Sequence, residues 1–249
     1  MITSYSKTNI GKKRNINQDY VYVNHNQIGL LDNLFIVADG MGGHRAGGFA
    51  SRFAVNNLAT LISSYNKSSE PKDILKDNIM EVNKLLFDKS NTDKELSGMG
   101  TTIVAATIKA RTLYFAHVGD SRLYIINTEI KQMTTDHSLV NEMVRLGQIR
   151  PEEAKNHPDR NVITRAVGIA PKVEVDIADR RIRNNDYILM CTDGLTSMVE
   201  NEDIFKTIVS ARDPVEATVD LINMANNNGG KDNIGIIVID PRDRRISNE

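Results

Sequence analysis

Three times along this chain an apolar, β-branched run stops at an aspartate beside a glycine. Residues 34–38 (LFIVA) run into Asp39-Gly40, residues 113–118 (LYFAHV) into Gly119-Asp120, and residues 187–191 (YILMC), after Thr192, into Asp193-Gly194. A further aspartate, Asp232, stands just before the apolar run 234–239. A lone Asp-Gly is an ordinary turn. A series of them constrains the fold, because strand ends on a shared sheet edge bring together carboxylates that lie far apart in sequence.

The order of elements narrows the kind of sheet. Strand-like segments at 19–23, 34–38, 101–108, 113–118, 123–126, 173–177, 187–191 and 234–239 come in groups. Apolar residues at helical spacing arrive as adjacent pairs, 46–61 with 71–87 and then 201–209 with 214–225. This order argues against regular βαβ alternation. It predicts an α+β chain, a four-layer α-β-β-α sandwich of two antiparallel sheets flanked by helix pairs. The last helix has its limits written in the sequence: Asp213 as N-cap, Pro214 at the first helical position, Glu216 completing a capping box, and Gly229 and Gly230 at the end. No linker-like, low-complexity or repeated stretch divides the 249 residues, so one domain over 1–249 is expected.

Charge and composition exclude several partners. With 31 Lys+Arg against 32 Asp+Glu, a net charge of -1 gives no global attraction to nucleic acid or to an anionic membrane. The apolar runs fall far short of the ~20 residues that cross a bilayer, and no basic-then-apolar leader follows Met1. A single cysteine, Cys191, serves neither an intramolecular disulfide nor a Cys-rich zinc site. The expectation is a cytoplasmic monomer with no nucleic-acid or membrane partner.

If the strand-end carboxylates converge, each pair repels by an energy on the order of kcal/mol unless protons or cations compensate. A divalent cation is the natural compensation, and all-oxygen donors suit Mg2+ or Mn2+ better than zinc or copper. Gly40 and Gly194 would leave backbone room at the ions. Two such ions roughly 3.5 to 4 Å apart hold a deprotonated water and clamp a phosphoryl oxygen, which is machinery for phosphoester hydrolysis. Positive charge for the substrate is found in Gly11-Lys12-Lys13-Arg14, just before Asn17-Gln18-Asp19. Arg14 stands out because a guanidinium forks two bonds to a phosphate.

Other phosphate chemistries fit less well. A cysteine-dependent phosphatase needs a Cys-x5-Arg loop, and the position six beyond Cys191 is Ser197. Residues 35–46 read as strand, Gly-rich turn and helix, but the glycines match neither nucleotide-binding pattern, and Asp39 at the turn repels a pyrophosphate.

Taken in order, 11–19 (GKKRNINQD), 37–44 (VADGMGGH), 98–102 (GMGTT), 118–122 (VGDSR), Asp136-His137-Ser138, 164–168 (TRAVG), 191–195 (CTDGL) and 230–234 (GKDNI) resemble the metal-dependent type 2C protein serine/threonine phosphatases, in their bacterial branch. The resemblance covers nearly the whole chain and implies a metal centre between the two sheets. It implies that Asp39 bridges two Mn2+ or Mg2+ ions, that Gly40 gives a backbone carbonyl to one of them, and that Asp193 and Asp232 are further ligands. Asp19 would hold metal-bound water, Asp120 with Asp193 a third and weaker ion, and Arg14 the substrate phosphate. The implied reaction is hydrolysis of phosphoserine and phosphothreonine in proteins, by direct attack of a metal-bridging hydroxide. A bacterial Ser/Thr kinase of eukaryotic type and its targets are the implied partners.

The pattern departs from the family at two places. Gln18 replaces the glutamate of many members, and Met41 stands where eukaryotic members carry a histidine proposed as general acid. His44, or a metal-bound water, is left for that role. Residues 137–168 correspond to the flap bordering the active site, with short helices expected at 139–146 and 151–154 and a polar loop at 157–161.

Overall fold

The computed structural model describes residues 2–43, 45–154 and 157–242. The chain opens with β1 (Thr3–Asn9), β2 (Asp19–Asn24) and β3 (Leu34–Met41), followed by the paired helices α1 (Ala46–Ser64) and α2 (Pro71–Thr92). Five strands come next: β4 (Gly100–Thr101), β5 (Ile103–Lys109), β6 (Thr112–Val118), β7 (Arg122–Ile126) and β8 (Ile130–Gln132). The flap carries α3 (Leu139–Arg145) and α4 (Pro151–Ala154). The remainder is β9 (Asp176–Arg181), β10 (Tyr187–Cys191), α5 (Asp193–Thr196), α6 (Asn201–Ser210), α7 (Pro214–Asn227) and β11 (Ile234–Asp240).

The strands form two antiparallel sheets, ordered β1-β11-β10-β7-β8 and β2-β3-β5-β6-β9, with β4 paired to β3. Three apolar cores stack them into the expected layers. On β3, Ile36 and Ala38 face Leu58 and Ile62 of α1 and Ile79 and Leu86 of α2. Phe35 and Val37, on its other face, meet Met190 and Ile237 of the second sheet. That sheet turns Leu189 and Ile236 toward Ile204 of α6 and Leu221 of α7. Covered on both faces, the central strands read as continuous apolar runs. Burying each such side chain stabilises the fold by about 1.5–3 kcal/mol.

The departures from the sequence reading lie at the sheet edges. β1 and β8 carry few fully buried residues and give no apolar alternation to detect. The strand expected at 173–177 is β9, starting at Asp176, and Val173 and Val175 pack against the α1–α2 core before it begins. At α7 the Asp213 side chain accepts from Glu216 N at 2.9 Å as expected, but the Glu216 carboxylate accepts from Arg212 N at 2.7 Å, so the box closes one residue upstream. Gly230 N donates to Ala225 O at 3.0 Å and finishes the helix.

Antiparallel pairing then fixes where the aspartates go. The β2 start faces the β3 end, and the ends of β6 and β10 and the start of β11 arrive at the same edge of the sandwich. No described helix is long and apolar enough to cross a membrane.

Candidate metal centre

Asp39 on β3 and Asp19 on β2 are direct cross-strand partners. Threonines at the β4–β5 junction pin the backbone of Asp39: its N–H donates to Thr102 Oγ1 at 2.9 Å, and its carbonyl accepts from Thr102 N and Thr101 Oγ1, each at 2.8 Å. Thr192 Oγ1, just before α5, donates to Asp19 Oδ2 at 2.8 Å and accepts from Gly235 N at 2.8 Å, so one hydroxyl ties together β2, the β10 end and β11. Asp193 is the first residue of α5. Asp232 Oδ1 accepts from Asn233 N at 2.8 Å. Asp120 follows Gly119, whose φ of +105° turns the chain at the end of β6.

The glycines have a different reason from the one expected. A Cβ on Gly40 would lie 2.0 Å from Gly47 O in the first turn of α1, and one on Gly194 would lie 1.8 Å from Asn233 O. Both positions exclude a side chain because neighbouring backbone packs against them.

Electrostatics reveal what the cluster lacks. Burial pushes Asp39 well above the usual carboxylate range, and Asp19, Asp193, Asp120 and Asp232 push it further. Burial likewise raises Asp19, against the bond from Thr192, with Asp193 and Asp232 adding repulsion. Asp193 rises through burial and the nearby Asp232, and burial with Asp193 and Asp136 brings Asp120 up to about 7. Asp19 Oδ1 and Asp193 Oδ1 are buried without a hydrogen-bond partner. An unmet buried acceptor costs about 1–3 kcal/mol. Orphaned carboxylate oxygens in an all-oxygen set fit hard divalent cations of the Mg2+ or Mn2+ type.

Arg14 reaches this centre from the lip. Its side chain is 51% exposed, and Nη2 donates to Asp232 Oδ2 at 2.7 Å. The guanidinium expected on a phosphate is therefore paired with a carboxylate. His44 lies outside the described residues, and Met41 ends β3. Cys191 is buried in the α6–α7 core with its thiol pushed up to about 12, which leaves it inert as a nucleophile.

The segment expected as a flap borders one side of the cluster. Its two roots are zipped by Thr164 N to His137 O and Leu139 N to Val162 O, both at 2.8 Å. A cavity of about 570 Å3 is lined by Asp120 and Asp193 and by Asn141 and Arg160 of the flap.

Sequence reasoning missed what holds those roots. His117 on β6 and His137 stack with ring centroids 4.8 Å apart, and Gly119 N donates to His137 Nδ1 at 3.0 Å while His137 N donates to Gly119 O at 3.0 Å. His137 Nε2 lies 3.3 Å from Asp176 Oδ2, the strand partner of His117. The histidine nitrogens and the Asp176 carboxylate fall within 4.8 Å of one another, a metal-ligating combination. The guanidinium of Arg165 already supplies a cation there, 3.1 Å from His137 Nε2 and 2.8 Å from Asp176 Oδ1. The group is a clasp between the flap roots and the Gly119-Asp120 turn. Its sequence signal was the Asp136-His137-Ser138 motif, whose partners appear only once the register is known.

Comparisons agree with this architecture. The protein phosphatase 2C pattern matches residues 19–234. A serine/threonine phosphatase stp of Listeria monocytogenes is 40% identical over 240 residues, covering 94% of each chain. The crystal structure of serine/threonine phosphatase Stp1 from Staphylococcus aureus superposes with a TM-score of 0.90 at 36% identity, over 96% of this chain and 95% of that one. The catalytic domain of the serine threonine protein phosphatase PstP, solved with 2 manganese ions, gives a TM-score of 0.84 at 32% identity over 97% and 99%. The chain belongs to the protein phosphatase 2C family, the metal-dependent protein serine/threonine phosphatases.

Proposed function

We propose that this chain hydrolyses phosphoserine and phosphothreonine in proteins at a dinuclear Mn2+ or Mg2+ centre, in a single displacement by water without a phosphoenzyme. The observation that carries the reading is the convergence of Asp19, Asp39, Asp193 and Asp120 in one buried cluster, with carboxylate oxygens left unpartnered and Asp232 beside it. Asp39, Gly40 O, Asp193 and Asp232 would hold the ions, with Asp19 beside them as a support for bound water. Asp120 with Asp193 would hold a third, weaker ion. When bound, the ions supply an acidified water and positive charge on the phosphoryl oxygens.

The chain's own groups do the rest. Thr102 and Thr192 hold Asp39 and Asp19 in place, and the flap cavity beside Asp120 and Asp193 receives the peptide around the phosphorylated residue. Arg14, tethered to Asp232 at the lip, swings a charge-assisted fork onto the phosphate. The leaving alkoxide needs a proton, which Met41 cannot give, and His44 is assigned that part on sequence alone. A bacterial Ser/Thr kinase of eukaryotic type and its targets supply the substrates.

The test is hydrolysis of p-nitrophenyl phosphate and a phosphothreonine peptide with Mn2+ or Mg2+. Turnover should vanish in EDTA and in Asp39→Asn. Undiminished turnover in EDTA would sink the reading.

A further inference from the structure

The end of the sandwich away from the metal centre carries the β5–β6 turn. β6 begins there at Thr112 and reaches the metal centre past Val118, about 20 Å on at ~3.3 Å per residue. Between β9, the edge of one sheet, and β8, the edge of the other, lies a cavity of about 610 Å3. Its lining includes Arg111, Lys131, Arg180, Arg181 and Arg183.

Register makes this more than a surface patch. Arg180 pairs with Leu113, and Lys131 pairs with Ile125. Leu113 and Ile125 belong to the core between the sheets, so Arg180 and Lys131 lie on the core-side faces of opposing edge strands, exposed at the rim beyond that core. Two cations thus face one gap. Among the described residues none of the five forms an ion pair, whereas Arg122, Arg145, Arg165 and Arg242 all do. Two acidic residues share the lining, Glu129 and Asp186. Asp186 is engaged by Asn127 Nδ2 of the β7–β8 turn and by Arg183 N of its own loop, accepting from each at 2.8 Å.

The β5–β6 turn brings Arg111 to the same mouth. Ala110 and Arg111 have φ of +47° and +64°, in the left-handed region that residues with a Cβ disfavour. Arg111 O accepts from Ile182 N at 2.9 Å, which fixes this turn against the end of β9, at the cavity. With Lys109 paired to Thr112, these are the two central residues of a β-hairpin turn, a turn that takes positive φ at both.

We propose that this mouth is a second anion site, separate from the metal centre, that takes a compact, multiply charged phosphate. Guanidiniums fork phosphate oxygens, and the volume suits a small ligand. The phosphate comes either from a free pyrophosphate-bearing molecule or from a phosphorylated chain docking away from the centre that hydrolyses it. The competing reading is that inward charges guard both edges against pairing with another sheet.

The test titrates 15N-labelled protein in Mg2+ with pyrophosphate, and separately with a peptide carrying a nonhydrolysable phosphonate analogue of phosphothreonine. Saturable amide shifts are expected at Arg111, Lys131 and 180–184, distinct from those at the metal centre. A Lys131→Glu/Arg180→Glu variant should bind roughly tenfold or more weakly at this mouth, with p-nitrophenyl phosphate turnover unchanged. Shifts with pyrophosphate alone assign a free phosphate, and shifts with the peptide assign a phosphorylated chain. No shift at these amides with either probe, or equal affinity in the variant, overturns the proposal and leaves the cations as edge guards.

Discussion

Asp19 and Asp39 stand directly opposite one another on neighbouring strands, where like charges destabilise a sheet. Burial worsens the opposition, since both carboxyls are pushed well above their ordinary range. Asp39→Asn removes one charge at nearly constant volume. In EDTA the variant should melt higher than the wild type, by about 2–4 °C for each kcal/mol of repulsion relieved. Mn2+ should raise the wild-type melting temperature by mass action and raise that of the variant much less. Calorimetry with and without Mn2+ checks both halves, and a variant that melts lower in EDTA would contradict the account.

Arg14 carries the clearest division between substrate and metal. Its bond to Asp232 joins two partly exposed side chains, and such pairs contribute about 0–1 kcal/mol. Its charge-assisted bonds to a phosphate are worth about 1.5–3 kcal/mol. Arg14→Ala should therefore raise KM for a phosphothreonine peptide by roughly ten- to a hundredfold, with Mn2+ affinity not weakened. Steady-state kinetics and metal titration separate the two quantities. A loss of Mn2+ binding would mean that Arg14 supports the metal centre.

Asp120 stands on the bend that ends β6, beside a positive-φ glycine rather than inside a strand. It follows Gly119 at the end of β6, and burial with the charges of Asp193 and Asp136 brings it up to about 7. Asp120→Ala should leave the tight pair of ions in place and remove the weaker one, lowering turnover. Mn2+ stoichiometry by calorimetry, measured beside kcat, decides the matter. Unchanged kcat would take Asp120 out of the reaction.

How much of this was legible in the sequence follows from where each residue sits. The central strands are covered on both faces, so their apolar runs ended visibly at Asp39 and Asp193, and the shared edge could be inferred without coordinates. β1 and β9 are edge strands with half-exposed faces and gave no comparable pattern. The threonines that hold the centre were harder still. Thr102 and Thr192 act through single hydroxyl bonds to residues 63 and 173 positions away in sequence. Arg14 was found as a cation, but its bond to Asp232 depends on the approach of the α7–β11 connection, which no local pattern encodes.

The His117–His137 clasp gives the protein a dependence on pH that is separate from its metal. Burial lowers the pKa of both histidines below the ordinary 6.5, and Arg165 lowers them further, while Asp176 acts in the opposite sense. The native state then binds fewer protons than the unfolded chain, so stability is complete above about 6.5 and declines as pH falls through the lowered native values. Asp176 is itself held below its usual 3.8 and contributes only in a more acid window. His117→Gln retains a donor for Thr135 O, which His117 Nε2 meets at 3.0 Å, and deletes the titration. With Mn2+ present to keep the aspartates ionised, the melting temperature of the wild type should fall more steeply with acidification below 6.5 than that of the variant. Parallel curves would show that the stacked histidines are not protonated on unfolding in that range, and the clasp would then be a purely steric one.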